Sequence, residues 1–131
     1  MTVIKFPNTP ANQMSDTAKL AIEMEKEKQT MYISGKISGI EEQASSLFEY
    51  AEEFLISQGY NTINPMKLKH TDLSCWKTCM KIDIKAMMDC DKIYMLSNWQ
   101  TSIGAKAELK LALDLGMEVI MEGTIIINNT L

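Results

Sequence analysis

Between Met31 and Met121, short apolar runs alternate with amphipathic segments, and turn residues separate them. This alternation constrains the fold more than any other feature of the chain. Met31-Tyr32-Ile33-Ser34 reads as a strand ending at Gly35. Ile40 to Gln58 places Ala44, Leu47, Phe48, Ala51, Phe54 and Leu55 at helical spacing, with Gly59 as the stop. Tyr60 to Ile63 is a second strand, closed by Asn64-Pro65, and Leu73 to Asp89 a second helix. Lys92 to Leu96 is a strongly apolar strand, Ser102 to Leu115 a third helix stopped by Gly116, and Met117 to Met121 a further strand. Thr124 to Ile127 is the candidate for a last one. The pattern predicts an α/β chain with a parallel sheet covered on both faces and right-handed crossovers. Met31 to Ser34 and Lys92 to Leu96 are apolar enough to be its inner strands. Ligands in such sheets bind at the C-terminal strand ends, so the loops at 35–39, 64–73 and 97–105 hold the candidates.

Length and composition fit this reading. A chain of 131 residues, 46% hydrophobic and 23% charged, can build one core without disulfides or a structural metal. A net charge of −4 argues against a nucleic-acid polymer as partner. A single phosphate is still possible, because helix N-termini and hydroxyls can hold one. No apolar stretch approaches the roughly 20 residues needed to span a bilayer. The first ten residues carry one lysine and no export-type apolar run. Cys75, Cys79 and Cys90, odd in number and close together, suit reduced thiols. These features predict a cytoplasmic protein with no membrane association. Ser15 can cap a helix running to about Lys28. Residues 1–29 are therefore set apart as an N-terminal extension, a possible oligomer contact, and 30–131 as the α/β domain.

Two carboxylates stand out. Glu108 falls in the second turn of the third helix, one turn from Gly104, Ala105, Leu111 and Ala112, with no basic partner three or four residues away. The competing reading is a surface glutamate. Asp83 lies in an apolar stripe with Cys79, Met80 and Met87, so it must be hydrogen-bonded, protonated or functional; the structural alternative pairs it with Lys81 or Lys85. The loop Gly35-Lys36-Ile37-Ser38-Gly39 can approach an anion or serve as a plain turn. In Ser97 to Ser102, Thr101 or Ser102 can cap the following helix, and Trp99 can stack on a base or fill a gap. His70, Cys75 and Cys79 raise a metal question, but no second ligand pair completes a set; reduced helix cysteines and a loop histidine are the preferred reading.

Taken in order, Tyr32-Ile33-Ser34-Gly35, Gly59-Tyr60, Asn64-Pro65, Trp76, Met80, Asp83-Ile84, Asp91 to Leu96, Trp99, Ser102, Gly104-Ala105 and Glu108 resemble the nucleoside 2-deoxyribosyltransferase-like superfamily. The nearest branch in pattern is that of small phage and bacterial proteins related to 2′-deoxynucleoside 5′-monophosphate N-glycosidases. The resemblance covers about residues 30 to 121. It implies a three-layer Rossmann- or flavodoxin-like sandwich with four to five mainly parallel strands, and a homodimer or larger homo-oligomer. It also implies catalysis by Glu108 as nucleophile at C1′, Asp83 as the acid beside the leaving base and Tyr32 near the sugar. Gly35, Lys36, Ser38, Trp99, Ser102 and Gly104 become substrate-binding candidates. Ser102 stands where nucleotide-acting members have a phosphate-binding serine and nucleoside-acting members an aspartate. Ser38 departs from the pattern, since the monophosphate glycosidases have arginine there, and the loop before Ser102 is one residue longer. No match is found for the C-terminal contribution of a neighbouring subunit at Asn128 or Asn129. The resulting expectation is a nucleotide or nucleoside N-glycosidase or deoxyribosyltransferase working by double displacement without metal or cofactor. The alternative is a non-catalytic protein that senses or sequesters a nucleotide.

Overall fold

A computed structural model describes residues 15–20 and 29–124. Ser15 caps the helical residues 16–20, its Oγ accepting from the Ala18 N–H at 3.1 Å. The rest of the helix expected up to Lys28 lies outside the described residues, as do most of the strand expected at Thr124 to Ile127 and both Asn128 and Asn129.

The elements follow in the order β1 (Thr30–Ser34), α1 (Glu41–Ser57), β2 (Asn61–Ile63), α2 (Trp76–Met88), β3 (Lys92–Met95), α3 (Ile103–Asp114) and β4 (Glu118–Met121). Short 3₁₀ turns at Pro65–Lys67 and Trp99–Thr101 precede α2 and α3. Among the described residues the strands form one sheet of order β2-β1-β3-β4, and every pairing is parallel. β1 and β3 are its inner strands, as their apolar composition predicts.

Strand alternation divides the core. Met31 and Ile33 of β1, with Tyr94 and Leu96, pack against Ala44, Phe48, Ala51 and Leu55 of α1. Tyr32, Ile93 and Met95 point the other way, towards Met87 of α2 and Ala105 and Ala112 of α3. The period of two thus produces three layers, with α1 on one face and α2 and α3 on the other. Leu47 and Phe54, expected in the α1 stripe, are partly exposed at its margin. Phe54 still meets the Tyr94 ring, the centroids lying 6.5 Å apart.

α2 begins three residues later than its apolar pattern suggests. The Asp72 carboxylate accepts from the Ser74 N–H at 3.0 Å and from the Ser74 hydroxyl at 2.6 Å. This local turn competes with helical hydrogen bonding and delays the helix to Trp76.

Chain connections diverge between β1 and β3: the first crossover runs from β1 to β2, and the second returns past β1 to β3. Such a switch point opens a crevice at the C-terminal strand ends. Here the Lys36 N–H donates to Asn98 Oδ1 at 3.0 Å, tying the loop after β1 to the loop after β3.

Candidate active site

Tyr32 and Ser34 are two residues apart on β1, so both side chains emerge on the face covered by α2 and α3. Each donates to the same group. The Tyr32 hydroxyl reaches Glu108 Oε2 at 2.7 Å, and the Ser34 hydroxyl reaches Glu108 Oε1 at 2.7 Å. Glu108 lies in α3 and is only 5% exposed, so the surface reading of this residue is overturned. Burial pushes its carboxyl up to about 7; the two hydroxyl donors oppose that rise, and the nearby Asp83 charge adds to it. Both oxygens therefore have donors that favour the carboxylate, in a place whose dryness favours the acid. Burial likewise drives the Tyr32 phenol well above its usual range, reinforced by Glu108 and Asp83.

Asp83 is buried on α2, in the same layer as Glu108, and their charges act on each other. Its partner is neither Lys81 nor Lys85. His70 Nε2 lies 2.7 Å from Asp83 Oδ1, and both side chains are largely enclosed. Burial raises the Asp83 carboxyl, while His70 pulls it back. His70 is thus drawn towards a carboxylate instead of towards the cysteines. Cys79 Sγ contacts the Asp72 carbonyl oxygen at 3.4 Å, and the Thr78 hydroxyl donates to Cys75 Sγ at 3.1 Å.

Ser102, and not Thr101, is the N-cap of α3, with its Oγ accepting from the Ala105 N–H at 3.1 Å. That bond uses a lone pair and leaves the hydroxyl hydrogen for an acceptor at the helix N-terminus. Trp99 packs onto the cluster around Met95 and Ala105, which is the gap-filling reading of its ring.

Two glycines prove to be packing requirements. A Cβ at Gly35 would lie 2.6 Å from Leu96 Cδ1 and 2.8 Å from Leu96 Cβ. A Cβ at Gly104 would lie 3.1 Å from Met80 Sδ and 3.8 Å from Trp76 Nε1, so glycine there lets α3 approach α2. Close packing of protein on protein is by itself enough to require glycine at both. Lys36 is partly buried and Ser38 exposed on the loop after β1.

The structure therefore brings Tyr32, Asp83 and Glu108 into interaction, with Ser102 at the N-cap of the helix that carries Glu108. It adds Ser34 and His70. Ser34 is hidden in sequence because a serine closing an apolar strand reads as a strand end. The only available signal is its parity with Tyr32. His70 gave none, since its pairing depends on how the loop before α2 folds back.

A family model described as a domain of unknown function (DUF4406) matches residues 29–121. Among curated protein sequences none matches. A solved structure of 2-deoxyribosyltransferase from the psychrotolerant bacterium Bacillus psychrosaccharolyticus is similar, with a TM-score of 0.56 and 19% identity over 75% of this chain and 77% of that one. At that identity the likeness establishes a shared α/β fold. Among the described residues no helix is long and apolar enough to cross a membrane.

Proposed function

The chain belongs to the DUF4406 family, and from the site it carries we propose that it cleaves the N-glycosidic bond of a nucleoside or nucleotide through Glu108. The observation that carries this reading is the buried Glu108 carboxylate, held by the Tyr32 and Ser34 hydroxyls beside a second buried carboxyl, Asp83. Two buried carboxyl groups on neighbouring helices, each with different partners and close enough for their charges to interact, are the equipment of a double displacement. The fold shared with a 2-deoxyribosyltransferase supports the same substrate class.

In the first step a Glu108 oxygen bonds to C1′ as the C1′–N bond breaks. The departing base takes a proton from the Asp83 carboxyl. In the second step water bonds to C1′ and returns a proton to Asp83, and the Glu108 carboxylate is freed. A second base in place of water makes the same site a transferase. Tyr32 and Ser34 lock both Glu108 oxygens, so the nucleophile is oriented before substrate arrives. Ser102 and Lys36, at the N-terminus of α3 and the end of β1, are the proposed contacts for a 5′-phosphate. Assembly as a homodimer or larger homo-oligomer is part of the proposal and is checked by sedimentation.

The test is incubation with a panel of nucleosides and 5′-mononucleotides and detection of free base. The wild type should release base, and Glu108→Ala should lower the rate by at least about a thousandfold. Binding without turnover by the wild type would favour a sensing or sequestering protein instead.

A further inference from the structure

His70 is the sole histidine of the chain, and nothing in the double displacement outlined above requires it. Its placement is nonetheless specific. The residue lies between the 3₁₀ turn at Pro65–Lys67 and α2, on a segment that must fold back for its ring to reach α2. The 3₁₀ turn is pinned by Asn64 Oδ1, which accepts from the Met66 N–H at 3.0 Å. The segment closes with the Asp72–Ser74 turn. The imidazole meets Asp83 Oδ1 at 2.7 Å with both side chains about nine-tenths enclosed. An exposed ion pair of this kind would be worth little, but an enclosed one fixes geometry and protonation together.

Among the described residues, few titratable groups interact with Asp83. They are His70 from the preceding loop, which pulls the Asp83 carboxyl down, and Tyr32 from β1, Glu108 from α3 and Cys79 one turn back on α2, on which the Asp83 charge acts. Among these four, His70 alone has a ring nitrogen that can either donate to a carboxylate or accept from a carboxylic acid. His70 engages Oδ1, and Oδ2 is the oxygen that the proposal below assigns to the leaving base.

We infer that His70 is the positioning residue of the Asp83 carboxyl: it sets which oxygen meets the leaving base and shares the proton which that base takes up. The inference rests on the N-glycosidase reading. Before the first step the His70–Asp83 pair carries one proton more than neutral imidazole plus carboxylate. As C1′–N breaks and C1′–O(Glu108) forms, that proton passes from Asp83 to the base nitrogen, leaving imidazole N–H donating to a carboxylate. When water attacks C1′ and C1′–O(Glu108) breaks, the released water proton restores the pair. The atoms and charges balance without any further reagent.

A structural tether and a proton-holding partner differ in their dependence on the leaving group. His70→Gln keeps a donor near the Nε2 position but cannot titrate. It should be compared with the wild type on ordinary deoxynucleosides and their 5′-monophosphates. The same comparison should be made on substrates whose leaving group departs without taking a proton, namely a nitrophenyl deoxyriboside and a ring-methylated deoxyguanosine. With ordinary substrates, kcat should fall about tenfold or more while KM stays within about threefold, in the range of general-acid effects. With whichever activated substrate the wild type turns over, the variant should match the wild type within about threefold. Asp83→Asn should show the same pattern. If thermal melting shows that the glutamine variant is unfolded, His70→Asn replaces it. Equal losses on both substrate classes, or no loss on either, would overturn the inference while leaving the glycosidase reading intact. Absence of any turnover by the wild type would remove both.

Discussion

The two faces of the sheet are built from the same strands yet differ in kind. On the α1 face, Met31, Ile33, Tyr94 and Leu96 meet Ala44, Phe48, Ala51 and Leu55, a cluster built largely of hydrocarbon and rings. On the opposite face the same alternation presents Tyr32 and Ser34, whose hydroxyls hold a buried glutamate, while α2 brings Asp83 and its histidine. Burial stabilises the first face directly, at about 25 cal/mol per Å² of apolar surface. On the second face burial works against the charged forms, and its cost is only partly offset by hydrogen bonds. Both faces bury apolar surface, and the second also keeps two carboxyls dry.

Breaking the apolar face should have the largest effect. Phe48 is fully buried at the centre of the α1 stripe. Phe48→Ala should destabilise by about 3–5 kcal/mol, read by urea unfolding, because it removes buried surface and leaves a cavity. A loss below about 1 kcal/mol would mean that α1 is not the main apolar anchor.

The polar face should show itself next, through pH. The Glu108 carboxyl sits at about 7 in the folded chain, above its usual value. The folded state therefore binds more protons than the unfolded state across that interval. The stability this contributes is fully present below the unfolded pKa and is lost as pH rises through about 7. Unfolding free energy should fall by up to about 3 kcal/mol between mildly acidic and mildly alkaline pH. Glu108→Gln cannot ionise, so most of this slope should vanish and the variant should be the more stable protein above neutrality. Identical slopes for the two would show that Glu108 is not the desolvated group.

Legibility in the sequence follows the same division. β1, β3 and α1 were readable because their burial is repeated at fixed spacing, two in strands and three to four in the helix. Leu47 and Phe54 were over-read because an apolar residue at the margin of a stripe scans like one at its centre. The start of α2 was misplaced because the Asp72 side chain competes locally with the helix. Of the candidate site residues, Tyr32, Asp83 and Glu108 are legible in the sequence, the first through family resemblance, and the structure buries them as interacting groups. Ser34 and His70 are not legible, since their significance comes from partners 74 and 13 residues away. At Gly35 and Gly104 sequence does not show that a side chain would meet Leu96 and Met80.

At the rim of the polar face, Ser102→Asp tests the phosphate contact. A carboxylate at the α3 N-cap can still accept from Ala105 N–H, so the helix should keep its cap. It would repel a 5′-phosphate and leave an uncharged nucleoside untouched. Affinity for a mononucleotide should fall about tenfold to a hundredfold, in line with a charge-assisted contact of roughly 1.5–3 kcal/mol. Nucleoside affinity should change much less when both are measured at one salt concentration. Equal losses would show that Ser102 does not read phosphate.

The smallest expected effect concerns the link between β1 and Glu108. Tyr32→Phe removes one of the two hydroxyl donors and keeps the ring that fills the core. The Tyr32 hydrogen bond lowers the Glu108 carboxyl, so its loss must move that group further up. A nucleophile has to be ionised, and the acidic limb of the rate profile should therefore shift to higher pH in the variant. Base release near neutrality should drop by about tenfold, within the range for one hydrogen bond to a charged acceptor, and recover in part as pH is raised. Ser34→Ala should act in the same direction, because its hydroxyl holds the other oxygen. A uniform loss of rate with an unmoved limb would mean that Tyr32 contacts the sugar and does not tune the carboxylate. The polar face would then be organised around its ligand instead of around Glu108.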